Sequence, residues 1–296
     1  MRSLTKILIA CAVVGAAGAW VITRPAPLDP DFAKGHQPDA KAGALVFAAA
    51  GCASCHAAPG AEGDDKLVLA GGYSFASDFG TFYAPNISPS DGAGIGGWTL
   101  PQFARAVTQG VSPEGQHYYP AFPYSTYVRM TVGDVSDLFA YMKGLPASEM
   151  ASKSHDLGFP FNIRRTLGFW KLLFFNDDFR LKGNLTATLE RGRYLVEAQG
   201  HCGECHTARN ALGGLDRDRW LAGAPNPSGK GKIPNITPAG LDWPEGDIAY
   251  YLSTGFTPDF DSVGGSMAAV VANMAKLPDS DRAAIAAYLK AVPAVE

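Results

Sequence analysis

The residues with the clearest chemical meaning occur in two copies of one pattern, Cys-x-x-Cys-His. The copies are Cys52-Ala53-Ser54-Cys55-His56 and Cys202-Gly203-Glu204-Cys205-His206. Two thiols separated by two residues and followed by an imidazole are typical of covalent haem c attachment, in which the thiols form thioethers and the histidine binds the iron. A zinc site or a thioredoxin-like redox pair is not favoured, because neither copy has a further cysteine and both carry the adjacent histidine. The pattern predicts two covalently bound haem c groups, held by Cys52, Cys55, Cys202 and Cys205, with His56 and His206 as iron ligands.

The opposite side of each iron decides its redox behaviour. A methionine there raises the redox potential and fills the site, whereas an open position admits a small molecule. In the second copy Met267 follows Gly264-Gly265-Ser266, in a loop before the final helical pattern. We predict that Met267 is the second ligand of this iron. The alternative, Met274, belongs to a helical pattern and is expected to be a core residue.

The first copy departs from this arrangement. The interval that leads from Gly255 to Met267 leads from Gly110 to Phe122, whose side chain cannot bind iron. The second ligand of the first haem has therefore either moved or been lost.

Three outcomes are open for the first haem. Met130 is our predicted ligand, although it aligns with Leu277 and could instead be a hydrophobic residue at the start of a helix. His117 is the second candidate, and an iron without a second protein ligand is the third outcome. Met142 aligns with Leu289 and is expected to be a core residue of the last helix of its unit.

Both motifs belong to an internal repeat. Pro85-Asn86-Ile87-Ser88-Pro89 follows the first motif, and Pro234-Asn235-Ile236-Thr237-Pro238 follows the second at nearly the same distance. Each copy ends in an amphipathic helical pattern, which contains Ala-Tyr-Met-Lys in the first copy and Ala-Tyr-Leu-Lys in the second. These patterns predict two homologous, mostly helical units at residues 37–148 and 186–296.

The N-terminus has the features of an export signal. Arg2 and Lys6 precede a long apolar run. Trp20 suits the membrane interface, and the basic residues favour a cytoplasmic N-terminus. We therefore predict an uncleaved membrane anchor at residues 1–24.

Two alternatives to this anchor are open. The signal could be cleaved at Ala17-Gly18-Ala19, or Cys11 could carry a lipid. In each case the rest of the chain lies on the periplasmic side of the inner membrane, beginning with a proline-rich tether at residues 25–36.

The segment between the two units, residues 149–185, is too aromatic to be a flexible tether. It contains Phe159-Pro160-Phe161 and Phe169-Trp170-Lys171-Leu172-Leu173-Phe174-Phe175. We expect this connector to fasten the two units together. The alternative is that its aromatic and basic residues contact a partner or the membrane surface.

Charge and motif content exclude several functions. The chain has 25 Lys and Arg against 28 Asp and Glu, a formal net charge of -3, so no global field attracts nucleic acid. The sequence has no hydrolytic or nucleotide-binding motif. Some side chains could bond haem propionates, although surface or core roles explain them equally well. They are Arg105, Arg129, Trp98 and Trp243.

The chain resembles bacterial class I diheme cytochromes c, and is similar to the cytochrome c subunits of membrane-bound alcohol and sugar-acid dehydrogenases. The resemblance rests on both Cys-x-x-Cys-His motifs, both Pro-Asn-Ile segments, Tyr119-Pro120-Ala121-Phe122-Pro123-Tyr124 and Gly265-Ser266-Met267. It implies a mainly α fold of two tandem class I cytochrome c domains, each a few helices wrapped around one covalent haem. The chain departs from those subunits in two ways, since they carry Met where Phe122 stands and usually hold three haems.

Together these features predict an exported diheme cytochrome that carries electrons from a periplasmic dehydrogenase to another cytochrome or a terminal oxidase. Such a protein transforms no substrate itself. Phe122 at the ligand position motivates the alternative, an oxidoreductase whose first haem acts on a small sulfur compound or peroxide. Only His117 and Glu114 could serve as acid or base near that haem.

Overall fold

The computed structural model describes residues 2–227, 229 and 231–296, and these residues are mainly helical. The helices up to the connector are α1 (Arg2–Ile22), α2 (Ala40–Ala49), α3 (Cys52–His56), α4 (Leu100–Gln109), α5 (Tyr124–Tyr127) and α6 (Val132–Lys143). The connector and second unit contain α7 (Leu167–Phe174), α8 (Ala187–Tyr194), α9 (Cys202–His206), α10 (Glu245–Thr254), α11 (Met267–Met274) and α12 (Asp279–Ala291). The prediction of a mainly α fold is confirmed.

Other regular elements are short. A π-helical turn, Leu195–Gln199, continues α8, and 3-10 turns lie at Gly63–Leu67, Arg164–Thr166 and Arg217–Arg219. The strands are β1 (Ser74–Ser77), β2 (Gly80–Tyr83), β3 (Asp156–Leu157), β4 (Ala224–Pro225) and β5 (Lys232–Ile233). The first three strands form an antiparallel sheet in chain order, and the last two pair with each other. Since β3 lies in the connector, this sheet attaches the connector to the first unit.

The first and last helices of each unit cross at a glycine. A Cβ atom at Gly43 on α2 would lie 2.0 Å from the carbonyl oxygen of Asp137 on α6. In the second unit, a Cβ atom at Gly192 on α8 would lie 2.0 Å from the carbonyl oxygen of Ala284 on α12. Only glycine allows the backbones to approach so closely. The two units therefore share one helix arrangement.

The central helix of each unit ends at a glycine as well. α4 begins with a capping box between Thr99 and Gln102 and ends at Gly110, with φ of 59°. α10 ends at Gly255, with φ of 79°. Both glycines adopt the left-handed conformation that commonly terminates a helix.

The two apolar cores exchange residues across the interface between the units. The first core includes Ala198 of the second unit. The second core includes Ala48 and Ala49 from α2 of the first unit. The units are therefore packed against each other.

The connector contacts both units through α7. The Nζ of Lys171 donates to the carbonyl oxygens of Gln109 and Gly110, at 2.5 and 2.9 Å, at the end of α4. The Nε1 of Trp170 donates to the carbonyl oxygen of Leu212 at 2.9 Å. Burial lowers the pKa of Lys171 to about 7. These contacts agree with the predicted fastening role.

The N-terminal helix has the length and composition of a membrane span. Ser3–Ile22 has a mean hydropathy of 2.0, and none of it is buried against the rest of the protein. A cleaved signal and an uncleaved anchor share these properties.

Candidate functional site: the two Cys-x-x-Cys-His motifs

Each Cys-x-x-Cys-His motif forms a single turn of helix, α3 in the first unit and α9 in the second. The turn follows a residue in the left-handed region, Gly51 with φ of 63° in the first unit and His201 with φ of 42° in the second. Such a residue redirects the chain between the preceding helix and the motif. Neither motif is closed by a disulfide.

The histidine of each motif is oriented by a proline carbonyl. The Nδ1 of His56 lies 2.9 Å from the oxygen of Pro85, and the Nδ1 of His206 lies 2.8 Å from the oxygen of Pro234. A carbonyl only accepts, so Nδ1 carries the proton and the Nε2 lone pair is available to a metal. Burial lowers the pKa of both histidines, which favours the neutral ligand form.

The two repeated asparagines hold these carbonyls in place. The Nδ2 of Asn86 donates to the carbonyl oxygens of Ser148 and Met150, both at 2.8 Å, and its Oδ1 accepts from the backbone of Ser88. The two Nδ2 bonds tie the loop after Pro85 to the chain at the end of the unit, and the Oδ1 bond stabilises the loop itself. The sequence repeat marked this asparagine but did not reveal its role, because its partners lie far away along the chain.

The second unit repeats this bonding with one difference. The Nδ2 of Asn235 donates to Val295, and its Oδ1 accepts from the backbone of Thr237 at 2.8 Å. Asn235 thus bonds one carbonyl of the chain end, whereas Asn86 bonds two. Both asparagines are positioning residues for the histidine of their unit.

Met130, our predicted second ligand of the first haem, lies in the first core. This core also contains Met142, and Cys52 and Phe122 pack against it. The Phe122 ring lies 5.8 Å from that of Tyr127, so the position that would hold a methionine is filled by aromatic packing. The structure thus brings Met130 into the cluster that contains the attachment cysteine.

His117, the other candidate, is engaged elsewhere. Its Nε2 donates to the carbonyl oxygen of Thr23 at 3.0 Å, and burial lowers the pKa of its imidazole. The residue is buried. His117 therefore serves the junction between the N-terminal helix and the first unit.

Met267, the predicted second ligand of the second haem, is the first residue of α11. It is half-buried and packs against the second core, as do Cys202 and Trp243. Met274 lies inside that core. The structure thus groups a methionine with the attachment cysteine in this unit too.

The arginines singled out from the sequence bond backbone carbonyls. Arg105 donates to Ser112 and Pro113 at 2.7 and 3.0 Å. Arg129 donates to carbonyls of α5, the connector and the π-helical turn. Trp98 packs against the first core. The positions of these side chains are therefore explained by contacts within the protein, without a bond to a haem propionate.

The donor set fits haem c. Each unit offers two thiols, a neutral imidazole with a free Nε2 and a thioether. Burial raises the pKa of Cys52 and of Cys202 to about 12, so both thiols are protonated before they react. Across the described residues, no group of three or more His, Cys, Asp and Glu side chains could hold a metal ion alone. A zinc site would need such a group.

The two motifs meet across the interface. The carbonyl oxygen of Ala50 accepts from Tyr127 Oη at 3.0 Å and from His201 Nε2 at 3.2 Å. The Oγ of Ser54 accepts from the Nδ2 of Asn273 at 2.9 Å. The bonds from His201 and Asn273 join the residues around the first motif to the second unit, whereas the Tyr127 bond lies within the first unit.

The second motif also contacts the first unit through Glu204. Glu204, between the second pair of cysteines, accepts from the hydroxyls of Ser125 and Thr126 in the first unit, at 3.2 and 2.9 Å. The attachment segments of the two units are therefore direct neighbours.

Comparison with known proteins agrees with this geometry. The cytochrome c family profile matches residues 40–146. A protein of Cereibacter sphaeroides named "Diheme cytochrome c-type" is 57% identical over 100% of this chain and 99% of its own length. The chain belongs to the cytochrome c family. The prediction of covalently bound haem c is confirmed for this cytochrome, and the count of two agrees with the relative's name.

Longer relatives are dehydrogenase subunits. The fructose dehydrogenase cytochrome subunit of Gluconobacter japonicus is 39% identical over 92% of this cytochrome and 56% of its own length. The gluconate 2-dehydrogenase cytochrome c subunit of Pantoea cypripedii is 33% identical over 86% of this cytochrome and 59% of its own length. This cytochrome thus spans little more than half the length of these subunits.

Proposed function

We propose that this cytochrome takes electrons from a periplasmic dehydrogenase and passes them to another cytochrome or a terminal oxidase. The observation that carries the proposal is the proximity of the two attachment motifs: His201, just before Cys202, donates to the carbonyl oxygen of Ala50, two residues before Cys52. Haem c, when bound, would accept and release electrons without chemically changing a substrate. Two such groups attached to neighbouring motifs would form a conduit between a donor and an acceptor.

The chain's own residues hold these groups in fixed positions. In our proposal the four motif cysteines form the thioethers, and the Nε2 atoms of His56 and His206 bind the irons. The Pro85 and Pro234 carbonyls fix the orientation of the two imidazoles. Met130 and Met267 would supply the second protein ligand of the first and second iron, respectively. A filled iron favours electron transfer over binding of a substrate.

The donor is inferred from the relatives. Cytochrome subunits of fructose, gluconate and alcohol dehydrogenases are similar in sequence to this cytochrome over most of its length. Since these subunits serve sugar, sugar-acid and alcohol dehydrogenases, we assign the donor to the same class of enzyme.

We place the protein at the periplasmic face of the inner membrane, with α1 retained as an anchor. The unburied apolar span Ser3–Ile22 and the exposed Trp20 near its end support this placement. Intact mass of the protein purified from membranes distinguishes the anchor from a cleaved signal.

Reduction by a dehydrogenase tests the function. The oxidised cytochrome is mixed with a sugar-acid or alcohol dehydrogenase freed of its own cytochrome subunit, and the absorption of reduced haem c is followed after substrate is added. We expect both haems to be reduced. Omitting the substrate is the control, and failure of every such dehydrogenase to reduce either haem would refute the proposed donor.

A further inference from the structure

The outer face of α7 is apolar and is exposed in the described part of the chain. Phe169, Leu172 and Leu173 lie on this face at helical spacing, and Leu172 and Leu173 are 59% and 68% exposed. The opposite face carries Lys171 and Trp170, which bond the two units. A helix whose inner face is fastened in this way presents its outer face in a fixed direction.

The residue after α1 is locked onto the start of α7. Thr23 is 2% exposed, and its carbonyl oxygen accepts from His117 Nε2 at 3.0 Å. The Nε of Arg165 donates to Thr23 Oγ1 at 3.2 Å. A Cβ atom at Gly168 would lie 2.5 Å from the Cβ of Thr23, so only glycine fits there. The end of the candidate membrane span and the connector are therefore in direct contact.

This contact positions α7 relative to a membrane. Because Ser3–Ile22 is apolar enough to cross a bilayer and is unburied, its end marks the boundary of the hydrocarbon region. Trp20 is exposed there, and its ring lies 4.1 Å from the guanidinium carbon of Arg165. Tryptophan is enriched at this depth. The outer face of α7 therefore lies at the same boundary.

The charge of the connector complements a bilayer surface. Residues 157–176 contain Arg164 and Arg165 just before α7 and no aspartate or glutamate, while the remaining basic residue, Lys171, faces the first unit and is not part of this surface. Basic residues beside exposed apolar side chains favour anionic lipid surfaces. Further large apolar side chains of this segment are exposed, namely Phe159, Phe161 and Ile163.

We infer that the outer face of α7 lies in the interfacial layer of the membrane and binds anionic phospholipid there. The connector thus provides a second membrane contact besides α1, and it sets the orientation of both haem-binding units above the bilayer. The inference rests on the anchored state proposed above, but it does not depend on electron transfer.

Spin labels on the full chain test this contact. The protein carries Cys11→Ser, and its motif cysteines are blocked as thioethers, so Leu172→Cys or Leu173→Cys provides the only reactive thiol. It is reconstituted with reduced haems into vesicles of phosphatidylethanolamine and phosphatidylglycerol. Tyr250→Cys on α10 is the matched control, since Tyr250 is 54% exposed. Intact mass shows that each sample retains α1, and haem spectra show that it is folded.

We expect the ratio of relaxation by oxygen to relaxation by a water-soluble nickel chelate to be several-fold higher at Leu172 and Leu173 than at Tyr250. The difference should shrink when phosphatidylcholine replaces phosphatidylglycerol. Equal ratios at all three positions would overturn the inference. Protection from both relaxants that appears only at high protein density would also overturn it, because a second copy of the chain would then cover this face.

Discussion

The two units surround their motif histidines in the same way but place the methionines that we predict as iron ligands differently. His56 and His206 each have Nδ1 within 2.9 Å of a proline carbonyl, and each carbonyl lies in a loop held by an asparagine. Met130 precedes α6 and is buried in the core against which Phe122 packs, whereas Met267 is half-buried at the start of α11. Covalent attachment demands one geometry on the histidine side, while the methionine can come from any loop that reaches the iron. The opposite side is therefore where the units diverged.

The largest effect is expected when the two cysteines of one motif are replaced and the other motif is left intact. Replacing Cys52 and Cys55 by Ala, or Cys202 and Cys205 by Ala, should remove one of the two covalent haems, because each pair of thiols serves its own porphyrin. Intact mass should fall by one haem in either double variant. Loss of both haems from one variant would show that the sites do not mature independently, and loss of neither would contradict the assignment of the cysteines.

The next test compares the methionines. Met130→Ala and Met267→Ala should each let carbon monoxide bind one of the two reduced haems, whereas the wild-type protein should bind none. Met142→Ala is the matched control, because Met142 is also buried in the first core. Removal of either core methionine should lower the free energy of unfolding by about 2–5 kcal/mol, but only Met130→Ala should open the iron.

Carbon monoxide binding by the wild-type protein at one haem would show that the first iron lacks Met130. Such a result would favour a catalytic first haem.

A smaller difference is expected between the asparagines. Asn86→Ala removes a donor from the carbonyls of Ser148 and Met150, and only Ser148 keeps another side-chain donor, Ser88 Oγ. Asn235→Ala removes a donor from the carbonyl of Val295, which keeps Thr237 Oγ1. The loss of unfolding free energy, about 1–3 kcal/mol, should therefore be larger for Asn86→Ala. Guanidinium denaturation measures it. Each variant should also shift the redox potential of the haem in its own unit alone. Asn184→Ala, at an exposed position, is the control, and equal losses in all three variants would contradict the positioning role.

The smallest effect concerns the connector. Lys171, which can titrate, bonds it to the first unit, and Trp170, which cannot, bonds it to the second. The pKa of Lys171 falls from 10.5 to about 7 because of burial. The cost of burying its charge is therefore fully present below about pH 7 and decreases as pH rises toward 10.5. The Tm of the wild-type protein, compared with that of Lys171→Met, should rise by a few degrees between neutral and alkaline pH. A constant difference would show that Lys171 titrates normally.

Local chemistry explains what could be predicted from the sequence. The thiols and the imidazole of each motif are adjacent along the chain, so their joint role is visible without a fold. The mainly α architecture followed from helical periodicity and from the resemblance. Met130 and Met267 remain predictions as iron ligands, although the structure groups each with its attachment cysteine.

Contacts between distant segments could not be predicted in this way. The bond between His56 and Pro85 needs a loop to fold back onto the motif, and the contact between Ala50 and His201 joins two units. The hairpin of β1 and β2 also has no clear signal in the sequence, because its strands are only four residues long and all residues of β1 are exposed. Such short strands leave no strong apolar alternation in the sequence.

The exchange of core residues has a consequence for how the protein unfolds. Ala48 and Ala49 complete the second core and Ala198 completes the first, so neither unit has a whole core of its own. A chain divided at the connector would expose these apolar surfaces in both halves. We therefore expect the duplicated sequence to unfold as a single cooperative body, and either half to be less stable when it is separated from the other.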